Sequence, residues 1–408
     1  MNFTQSNYLL DRALKVIPNG TQTFSKSRTM YPVGTSPLFI DRAKGSHIWD
    51  VDDNEYIDFV SGLCPIILGY CDEDVDNAVR EQMKKGVIFS LPHPLEIEVS
   101  ELLQEMIPCA EMVRLAKNGS DATSGAIRLA RAFTGKDHVV TVNGHYHGWQ
   151  DWAVSITGRN AGVPSCVRSL THICEYDDED SLEQVFSQYP NQIAAVIFEP
   201  MNTQWPYSLQ HIKEIVHKNN ALLIFDEIIT GLRFPECSAQ KYFKVTPDLA
   251  CFGKAIANGY PLSAVVGKRE IMEQMEKIHF SFTFGGECLS LAAAKATLTK
   301  IKTQPVLSKI LRMGDRIEKY FSKFNWLKLL GYPSRTVIKF NADTDRLKFM
   351  QECFQRGIFI IDAHNLTYSH SDQDIDLLLA AYDEILPNLD SIELKGQIHD
   401  SKFKVRWY

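Results

Sequence analysis

Apolar residues recur at helical spacing in the part of the chain before residue 110. Residues 73–86 and 95–107 place them three and four positions apart, the second stretch beginning with Leu95 and Val99. This spacing predicts two amphipathic helices. Residues 38–62 instead alternate short apolar runs with turn signals, which predicts a small antiparallel meander.

Short, continuously apolar runs alternate with helical stretches from residue 113 onward. The first leads through a glycine-bearing turn into a helix that Gly135 ends. Four more runs follow it, HVVTV (138–142), AAVIF (194–198), ALLIF (221–225) and LACF (249–252). Apolar strands separated by helices are typical of a mostly parallel sheet covered on both faces. The pattern therefore predicts an α/β core.

The pattern changes near residue 300 to a mixture of long helices and isolated strands. We interpret residues 301–408 as a small C-terminal α+β domain and residues 53–300 as the large domain. Residues 1–52 are expected to form an N-terminal segment that packs with the small domain.

Composition and charge narrow the function classes. Of the 408 residues, 45% are hydrophobic and 23% are charged, and no apolar stretch is long enough to span a membrane. A net charge of −7 with dispersed Lys and Arg gives no footprint for nucleic acid, so a small-molecule substrate is expected. The nine cysteines are scattered and odd in number, which favours reduced thiols over disulfides or zinc. The beginning of the chain lacks the features of a secretory signal, and we expect a cytoplasmic protein.

Two residues at predicted strand ends are candidates for chemistry. Lys254 follows LACF and Gly253, where parallel sheets place their ligands. An amine in a dry site can form a Schiff base with a carbonyl; the alternative is a surface lysine. Asp226 ends the ALLIF strand, and its burial there requires a cation or donors, such as a protonated pyridine nitrogen. Helix capping and magnesium binding are the alternatives for Asp226, although the chain has no GxxxxGK[ST] motif.

Three further features belong to the same predicted edge. Gly119 and Ser120 stand at a helix start, where backbone N–H groups can cradle a phosphate or simply be capped. Tyr146, in GHYHGW, can stack on a flat heterocycle. The two histidines of that motif also suggest a metal site, but their i, i+2 spacing without a third ligand disfavours one. Glu199 closes the AAVIF strand and can anchor neighbouring polar groups around a cofactor.

In chain order these motifs resemble the class III pyridoxal-phosphate-dependent aminotransferases of fold type I, and within them the glutamate-1-semialdehyde aminomutase-like branch. The resemblance runs through IPNGTQTF, IDRAKGSHIWDVDDNEYIDFVSG, NGSDATSGAIRLARAFTG, GHYHG, FEP, LLIFDEIITGLRF, PDLACFGKAIANGYPLSAVVG and FTFGGECLSLAAA. It implies a large domain that binds pyridoxal 5'-phosphate on a mostly parallel mixed sheet, a smaller α+β domain, and a homodimer with shared active sites.

The resemblance also implies roles for individual residues. Lys254 would form the Schiff base and later shuttle a proton, and Asp226 would pair with the pyridine nitrogen. The other implied cofactor contacts are Gly119 and Ser120 at the phosphate, Tyr146 and Ile228 on the two ring faces, Gln204 near the ring hydroxyl, and Thr283 at the phosphate across a dimer interface. No metal ligand is implied.

The chain departs from the aminomutase pattern where substrate would bind. Thr23 and Lys26 stand where GVSSPVR has a serine and a carboxylate-binding arginine, and Leu63 replaces the tryptophan of GTWGP. Asp362 stands at the acidic gate position. A lysine does not reproduce the planar fork with which arginine holds a carboxylate.

These departures favour an aminotransferase, which moves an amino group between an amino donor and a small carbonyl acceptor through a pyridoxamine phosphate form. The alternative is glutamate-1-semialdehyde 2,1-aminomutase or a related aminomutase, which isomerises one substrate without a separate donor. A non-enzymatic binding module is the remote alternative, and the retained lysine and aspartate disfavour it.

Overall fold

The computed structural model describes residues 1–175, 178–200 and 209–399. Within them the chain forms two compact units. The first unit joins Met1–Asp72 to residues 308–399, and the second unit contains the described residues of Glu73–Leu307. The units thus divide the chain after residues 72 and 307, whereas the functional domain borders at 52 and 300 stay predictions.

The described residues contain helices and strands in the following order along the chain. The helices are α1 (Thr4–Val16), α2 (Glu73–Met83), α3 (Pro94–Met106), α4 (Gly119–Thr134), α5 (Asp151–Val154), α6 (Ser165–Arg168), α7 (Glu179–Gln188), α8 (Leu209–Lys218), α9 (Ala239–Phe243), α10 (Arg269–Met272), α11 (Cys288–Thr303), α12 (Val306–Phe321), α13 (Asp343–Gln355) and α14 (Asp372–Ile385). The strands are β1 (Ile40–Lys44), β2 (His47–Asp50), β3 (Glu55–Asp58), β4 (Met112–Ala116), β5 (His138–Val142), β6 (Thr171–Cys174), β7 (Ile193–Phe198), β8 (Leu222–Glu227), β9 (Leu249–Phe252), β10 (Ser263–Gly267), β11 (Lys328–Tyr332), β12 (Arg335–Lys339), β13 (Ile358–Phe359) and β14 (Ala363–Asn365).

The second unit is built on a seven-stranded sheet in the order β4-β10-β9-β8-β7-β5-β6. Its strands β9, β8, β7, β5 and β6 run parallel, and β10 runs antiparallel to both of its neighbours. Every residue of β7, β8, β9 and β10 is buried, which explains why their sequences are continuously apolar rather than alternating. The predicted mostly parallel sheet of an α/β fold is confirmed.

Helix α4 covers this sheet and is fixed at both ends by its sequence. Asn118 and Asp121 form a capping box, each side chain accepting from the other residue's backbone N–H. Gly135 ends the helix with a left-handed φ of 67°. The fully buried Ala122 and Ala126 let the helix pack closely on β7, β9 and β10. The first turn of α4 is thereby held at one edge of the sheet.

The first unit contains two small sheets. The predicted meander is present as β1-β2-β3, and β13 joins it in parallel with β3. The second sheet is antiparallel, in the order β11-β12-β14. The mixture of helices and strands after residue 300 agrees with the predicted α+β character of that region.

A left-handed turn follows β3 in the first unit. All four residues of 61–64 have φ between 50° and 79°, although only one of them is glycine. The buried Asp58 accepts from the N–H groups of Val60 and Ser61 at 2.7 and 3.1 Å, and the Ser61 hydroxyl donates to the Asn365 carbonyl at 2.6 Å. Non-glycine residues pay for this conformation, so these bonds are what hold it.

Among the residues that the structure describes, none of the helices combines the length and the apolar character needed to cross a bilayer.

Candidate active site

Three predicted site residues lie at the carboxyl ends of neighbouring parallel strands. Glu199 directly follows β7, Asp226 is the penultimate residue of β8, and Lys254 follows β9 after Gly253. The pairing of β8 with β9 sets Asp226 opposite Cys251. Glu199 and Asp226 are buried and Lys254 is half-buried. This edge of the sheet is where open α/β folds bind their ligands.

The carboxylate of Asp226 is desolvated and oriented by two donors. The residue is only 4% exposed. Its Oδ2 lies 2.7 Å from Nδ1 of His147, and its Oδ1 accepts from the backbone N–H of Ile228 at 3.1 Å. Each carboxylate oxygen can accept two hydrogen bonds, so a further donor can still be bound. A carboxylate of this kind is the group that stabilises the protonated nitrogen of a pyridine ring.

Lys254 lies in an uncommon backbone conformation. Its φ is 43°, in the left-handed region, directly after an extended Gly253, and it begins a short 3₁₀ turn to Ala257. A non-glycine residue in this region costs of order 1–3 kcal/mol, and such residues cluster at functional sites. The buried Ala255 and Ile256 anchor the turn that holds it. The lysine is thus set at the strand end by packing of its neighbours.

Ile228 packs between the start of α4 and the lysine turn. A Cβ on Gly119 would lie 3.2 Å from Cγ2 of Ile228, and a Cβ on Gly253 would lie 3.0 Å from its Cδ1. Ser263, at the start of β10, donates from its hydroxyl to the carbonyl of Asn118 at 2.7 Å. Because both positions are glycines, the start of α4 and the turn that begins at Lys254 can both pack against the Ile228 side chain, which follows β8.

The first turn of α4 offers donors for an anion. Ser120 is buried, and its Oγ accepts from the backbone N–H of Trp149 at 3.2 Å while retaining its own proton for donation. A Cβ on Gly148 would lie 2.6 Å from that oxygen, so the loop can approach only as glycine. Gly119 and Ser120 are the first residues of the helix, ahead of its intrahelical bonding. Capping by Asn118 therefore coexists with a phosphate cradle.

Tyr146 and His145 of the GHYHGW loop bring an exposed ring and a neutral imidazole to this edge. Tyr146 is 58% exposed, and partial burial of its hydroxyl together with the negative charge of Asp226 raises its pKa. Burial, with a smaller contribution from His147, lowers the pKa of His145 to about 3. His145 is thus neutral, and its Nδ1 accepts from the backbone N–H of Glu199 at 3.2 Å.

The resemblance also predicts Thr283 and Gln204 as cofactor contacts. Thr283 is exposed in a turn before α11. Gln204 lies outside the described residues.

The four predicted substrate residues belong to the first unit. Thr23 and Lys26 are exposed around a short 3₁₀ turn, and Leu63 is half-buried with φ 74° in the left-handed turn. Burial raises the pKa of Asp362 above its ordinary value, although the guanidinium groups of Arg346 and Arg335 oppose that effect.

The residues of the cluster fit pyridoxal phosphate. A helix N-terminus with a buried serine suits the phosphate, a buried carboxylate suits the ring nitrogen, and a half-buried lysine suits the aldehyde. Across the described part of the chain, no group of three or more His, Cys, Asp or Glu side chains is placed to hold a metal ion.

His147 is the residue of this cluster that sequence reasoning did not identify. Its ring contacts Asp226, which lies 79 residues further along the chain, whereas the sequence suggests only a disfavoured metal pair with His145. The signal available was a histidine two residues after Tyr146 on the loop leaving a predicted parallel strand.

Comparisons with known proteins agree with this geometry. Residues 30–368 match the family model of class III aminotransferases. The chain is 34% identical to a 3-aminobutyryl-CoA aminotransferase of Cloacimonas acidaminovorans, over 95% of this chain and 97% of that protein. It is also 34% identical to a glutamate-1-semialdehyde 2,1-aminomutase 2 of an Exiguobacterium species, over 95% and 98%. The structure superposes on the PLP internal aldimine form of the FumI protein of Sphingopyxis sp. MTA144 with a TM-score of 0.88 and 28% identity, covering 96% and 98% of the two chains.

Proposed function

Because the chain belongs to the class III aminotransferases, we propose that Lys254 and Asp226 are the residues through which it uses pyridoxal phosphate. The protein is a pyridoxal-phosphate-dependent enzyme of fold type I that transfers an amino group from a small-molecule donor to a carbonyl acceptor. The observation that carries the assignment is the position of Asp226 and Lys254 at adjacent strand ends, with Ile228 packed against Gly253.

When bound, pyridoxal phosphate supplies a cationic ring that withdraws electrons from the carbon next to the substrate nitrogen. Asp226 holds the ring nitrogen in its protonated form through its buried carboxylate. Lys254 would hold the cofactor through Nζ, and its amine would serve as the base that moves the proton of the substrate carbon. Ser120 and the N–H groups of the first α4 turn hold the phosphate.

The remaining cofactor contacts are assigned around the ring. Tyr146, whose ring is exposed beside the site, would stack on one face, and Ile228 would pack on the other. Glu199 would anchor polar groups at the end of β7. Gln204 would lie near the ring hydroxyl, as the resemblance of its surrounding sequence implies.

A spectral experiment tests the assignment of Lys254. Candidate amines are added to the purified holoenzyme, and loss of the visible cofactor band is followed as the amino group is transferred. We expect conversion in the wild type and in Lys277→Ala, whose lysine is exposed. In Lys254→Ala, both the absorption band of the covalently bound cofactor and turnover should be absent. Full transfer by that variant would overturn the assignment.

Product analysis distinguishes transfer from isomerisation. An aminotransferase needs two substrates and releases a carbonyl product from the donor, whereas an aminomutase returns one isomer without a separate donor. The similarity to an aminomutase over nearly the whole chain makes this the second candidate function. Lys26, in place of an arginine that would hold a carboxylate, supports transfer.

Substrate recognition is assigned to four residues of the first unit. Thr23, Lys26, Leu63 and Asp362 are proposed to contact the donor or acceptor. Leu63 is the most constrained of them, because it belongs to the left-handed turn that Asp58 holds. Exchange of Leu63 for tryptophan should change the preferred substrate, measured as a ratio of kcat/KM values, more than it changes kcat for the best one.

We also propose a homodimer with shared active sites. An apolar face of the second unit is exposed, formed by Val87, Ile88, Phe89, Leu91, Ile97 and Phe284. Its parts are joined, because the N–H of Cys288 donates to the Val87 carbonyl at 2.7 Å. Exposed patches of this kind commonly bind a partner, and Thr283 lies beside Phe284 on the same turn.

Complementation tests the shared site. If Thr283 serves the phosphate of the other subunit, a mixed dimer of Lys254→Ala and Thr283→Ala chains contains one intact site and one doubly altered site. Refolding the two variants together should therefore restore part of the activity that each variant lacks when it is refolded alone. No gain on mixing, with dimers seen by ultracentrifugation, would contradict the trans role of Thr283.

A cytoplasmic location is proposed from the thiols. None of the nine cysteines, all of which lie among the described residues, forms a disulfide, and six of them are buried. Unpaired cysteines are typical of reducing compartments. Cell fractionation with an antibody to the native chain would test this location.

A further inference from the structure

The Asp226–His147 contact continues to a third buried residue. Nε2 of His147 lies 2.8 Å from Oγ1 of Thr141, which is 1% exposed, and the histidine side chain is 2% exposed. The imidazole ring also stacks on Trp152, with centroids 6.3 Å apart and planes 10° apart. Thr141, His147 and Asp226 therefore form one chain of hydrogen-bonding groups inside the sheet edge.

The direction of these hydrogen bonds follows from the donor groups. A carboxylate accepts only, so the hydrogen of the Asp226 contact belongs to Nδ1 of His147. In the neutral imidazole Nε2 is then an acceptor, and the hydroxyl of Thr141 can donate to it. The carboxylate thus fixes the proton on Nδ1, and the Thr141 hydroxyl holds the other side of the ring.

The main chain of the same loop is fixed on the opposite side. The hydroxyl of Thr123 in α4 donates to the carbonyl of His147 at 2.6 Å, and Trp149 N–H donates to Ser120 Oγ. His147 is therefore held by its backbone as well as by its ring. It cannot turn away from Asp226 without breaking contacts that also support the first turn of α4.

We propose that Thr141 and His147 are positioning residues that orient the Asp226 carboxylate toward the ring nitrogen of bound pyridoxal phosphate, with the Thr141 hydroxyl holding the His147 ring in place through Nε2. The proposal rests on the assigned role of Asp226. Neither residue touches substrate in this proposal, and both act through the aspartate.

Thr141→Val and Thr141→Ser form the sharpest test. Valine has nearly the shape of threonine without its hydroxyl, and serine keeps the hydroxyl without the methyl group. The apoprotein of each variant is titrated with pyridoxal phosphate and with its 1-deaza analogue, in which carbon replaces the ring nitrogen. The quantity compared is the ratio of the two dissociation constants, which cancels general effects on folding or phosphate binding.

The wild type should prefer pyridoxal phosphate over the analogue, and Asp226→Asn should lose that preference. Thr141→Val should reduce the preference by about 3- to 10-fold, the range expected for one hydrogen bond, while Thr141→Ser retains it. His147→Leu should reduce it about 10-fold or more, because a donor to a charged group is lost. The visible band of the bound cofactor should shift with pH in Thr141→Val differently from the wild type and Thr141→Ser.

The outcomes separate this proposal from the one it rests on. If the wild type and Asp226→Asn show the same ratio, the role of Asp226 itself is wrong. If Asp226→Asn loses the preference but Thr141→Val keeps the wild-type ratio and spectrum, only the positioning role of Thr141 is overturned. If Thr141→Ser loses the preference as fully as Thr141→Val, the hydroxyl is not the cause, and the positioning role of the Thr141–His147 hydrogen bond fails.

Discussion

Two aspartate–histidine pairs lie at opposite ends of the sheet in the second unit. Asp226 contacts His147 at 2.7 Å near the end of β8, and Asp248 contacts His217 at 2.8 Å just before β9 begins. Both aspartates are buried, at 4% and 1% exposure. Burial and histidine pairing are thus the same at both ends, so neither feature alone identifies a catalytic carboxylate.

The two pairs differ in the other donors that surround them. Asp248 also accepts from Nζ of Lys268 at 2.6 Å and from the N–H of Leu223 at 2.8 Å. Burial works to raise the pKa of Asp248, but Lys268 and the other donors outweigh it and hold that pKa below the ordinary value. Asp226 contacts His147 and one backbone N–H, at the edge where ligands bind. Contact with a lysine therefore distinguishes Asp248 as the structural carboxylate. The capacity to accept from another donor distinguishes Asp226 as the functional one.

Exchanging each aspartate for asparagine should separate these roles most strongly. We expect Asp226→Asn to lower kcat/KM by about 10²- to 10³-fold, the size of losing one preorganised electrostatic contact, with a smaller effect on stability. Asp248→Asn should instead lower the free energy of unfolding by about 1–3 kcal/mol, because the buried amide loses hydrogen bonds that the carboxylate accepts from charged and backbone donors. Kinetics normalised to bound cofactor, with urea unfolding, provide both measurements. Equal loss of normalised activity in both variants would remove the distinction.

Glu227 extends the comparison to a buried acid with no histidine. Its carboxylate accepts from Ala239 N–H and the Gln240 amide at 2.8 and 2.9 Å, and burial raises its pKa to about 7. The folded state thus binds the proton more tightly than the unfolded chain, so this group's contribution to stability falls as the pH rises from about 4.5 to 7.

Glu227→Gln should remove that pH dependence. The stability of the wild type relative to Glu227→Gln should decrease by on the order of 2 kcal/mol between pH 5 and pH 8. Urea unfolding of the two apoproteins at both pH values measures the difference. An unchanged difference would show that Glu227 remains ionised throughout.

Two glycines of the GHYHGW loop test how closely the site end is packed. Gly148 and Gly144 both have positive φ, 120° and 84°, but an added Cβ meets Ser120 Oγ at 2.6 Å only at Gly148. Gly148→Ala should lose about 1–3 kcal/mol of stability and weaken pyridoxal phosphate binding, and Gly144→Ala should cost about 1 kcal/mol without weakening it. Thermal unfolding with and without the cofactor measures both. Equal cofactor affinities in the two variants would argue against Ser120 as a phosphate ligand.

The smallest effect is expected from substitution of Lys268, the lysine that contacts Asp248. Lys268→Met should cost only about 1 kcal/mol at pH 7, because the lysine side chain is 38% exposed and solvent screens the pair. Asp248 has a lowered pKa, so its contribution is present above the unfolded pKa and is lost as the pH falls through the folded value. The difference between wild type and variant should therefore shrink from pH 7 to pH 3 in urea unfolding. A constant difference would locate the effect in packing of the lysine stem.

The sequence predicted the strands and the helix that form this edge of the sheet. It did not predict the hydrogen-bonded pairs of residues that join them. Continuous apolar runs predicted β7, β8 and β9, and helical spacing with Gly135 predicted α4, because burial on both faces and helix capping leave local signals. The order of the strands in the sheet has no signal in this periodicity. Asp226 and Lys254 could be proposed because each stands at the end of such a run.

Contacts made by distant parts of the chain had no local signal. Asp226 and Asp248 both look like polar residues beside an apolar run, and only the fold brings Lys268 to one and His147 to the other. The reversed direction of β10 was also absent from the pattern, since a fully buried strand reads the same either way. The left-handed φ of Lys254 likewise depends on packing around it.

The antiparallel strand β10 determines how late in synthesis the cofactor site can form. Ser263 at its start bonds to Asn118, 145 residues earlier, and β10 lies between β4 and β9. The helix start and the lysine turn therefore cannot be clamped together until β10 has been synthesised and inserted. Contacts of such long sequence separation form slowly. A nascent chain that has not reached residue 267 should not retain the cofactor, so loading belongs to a late stage of synthesis.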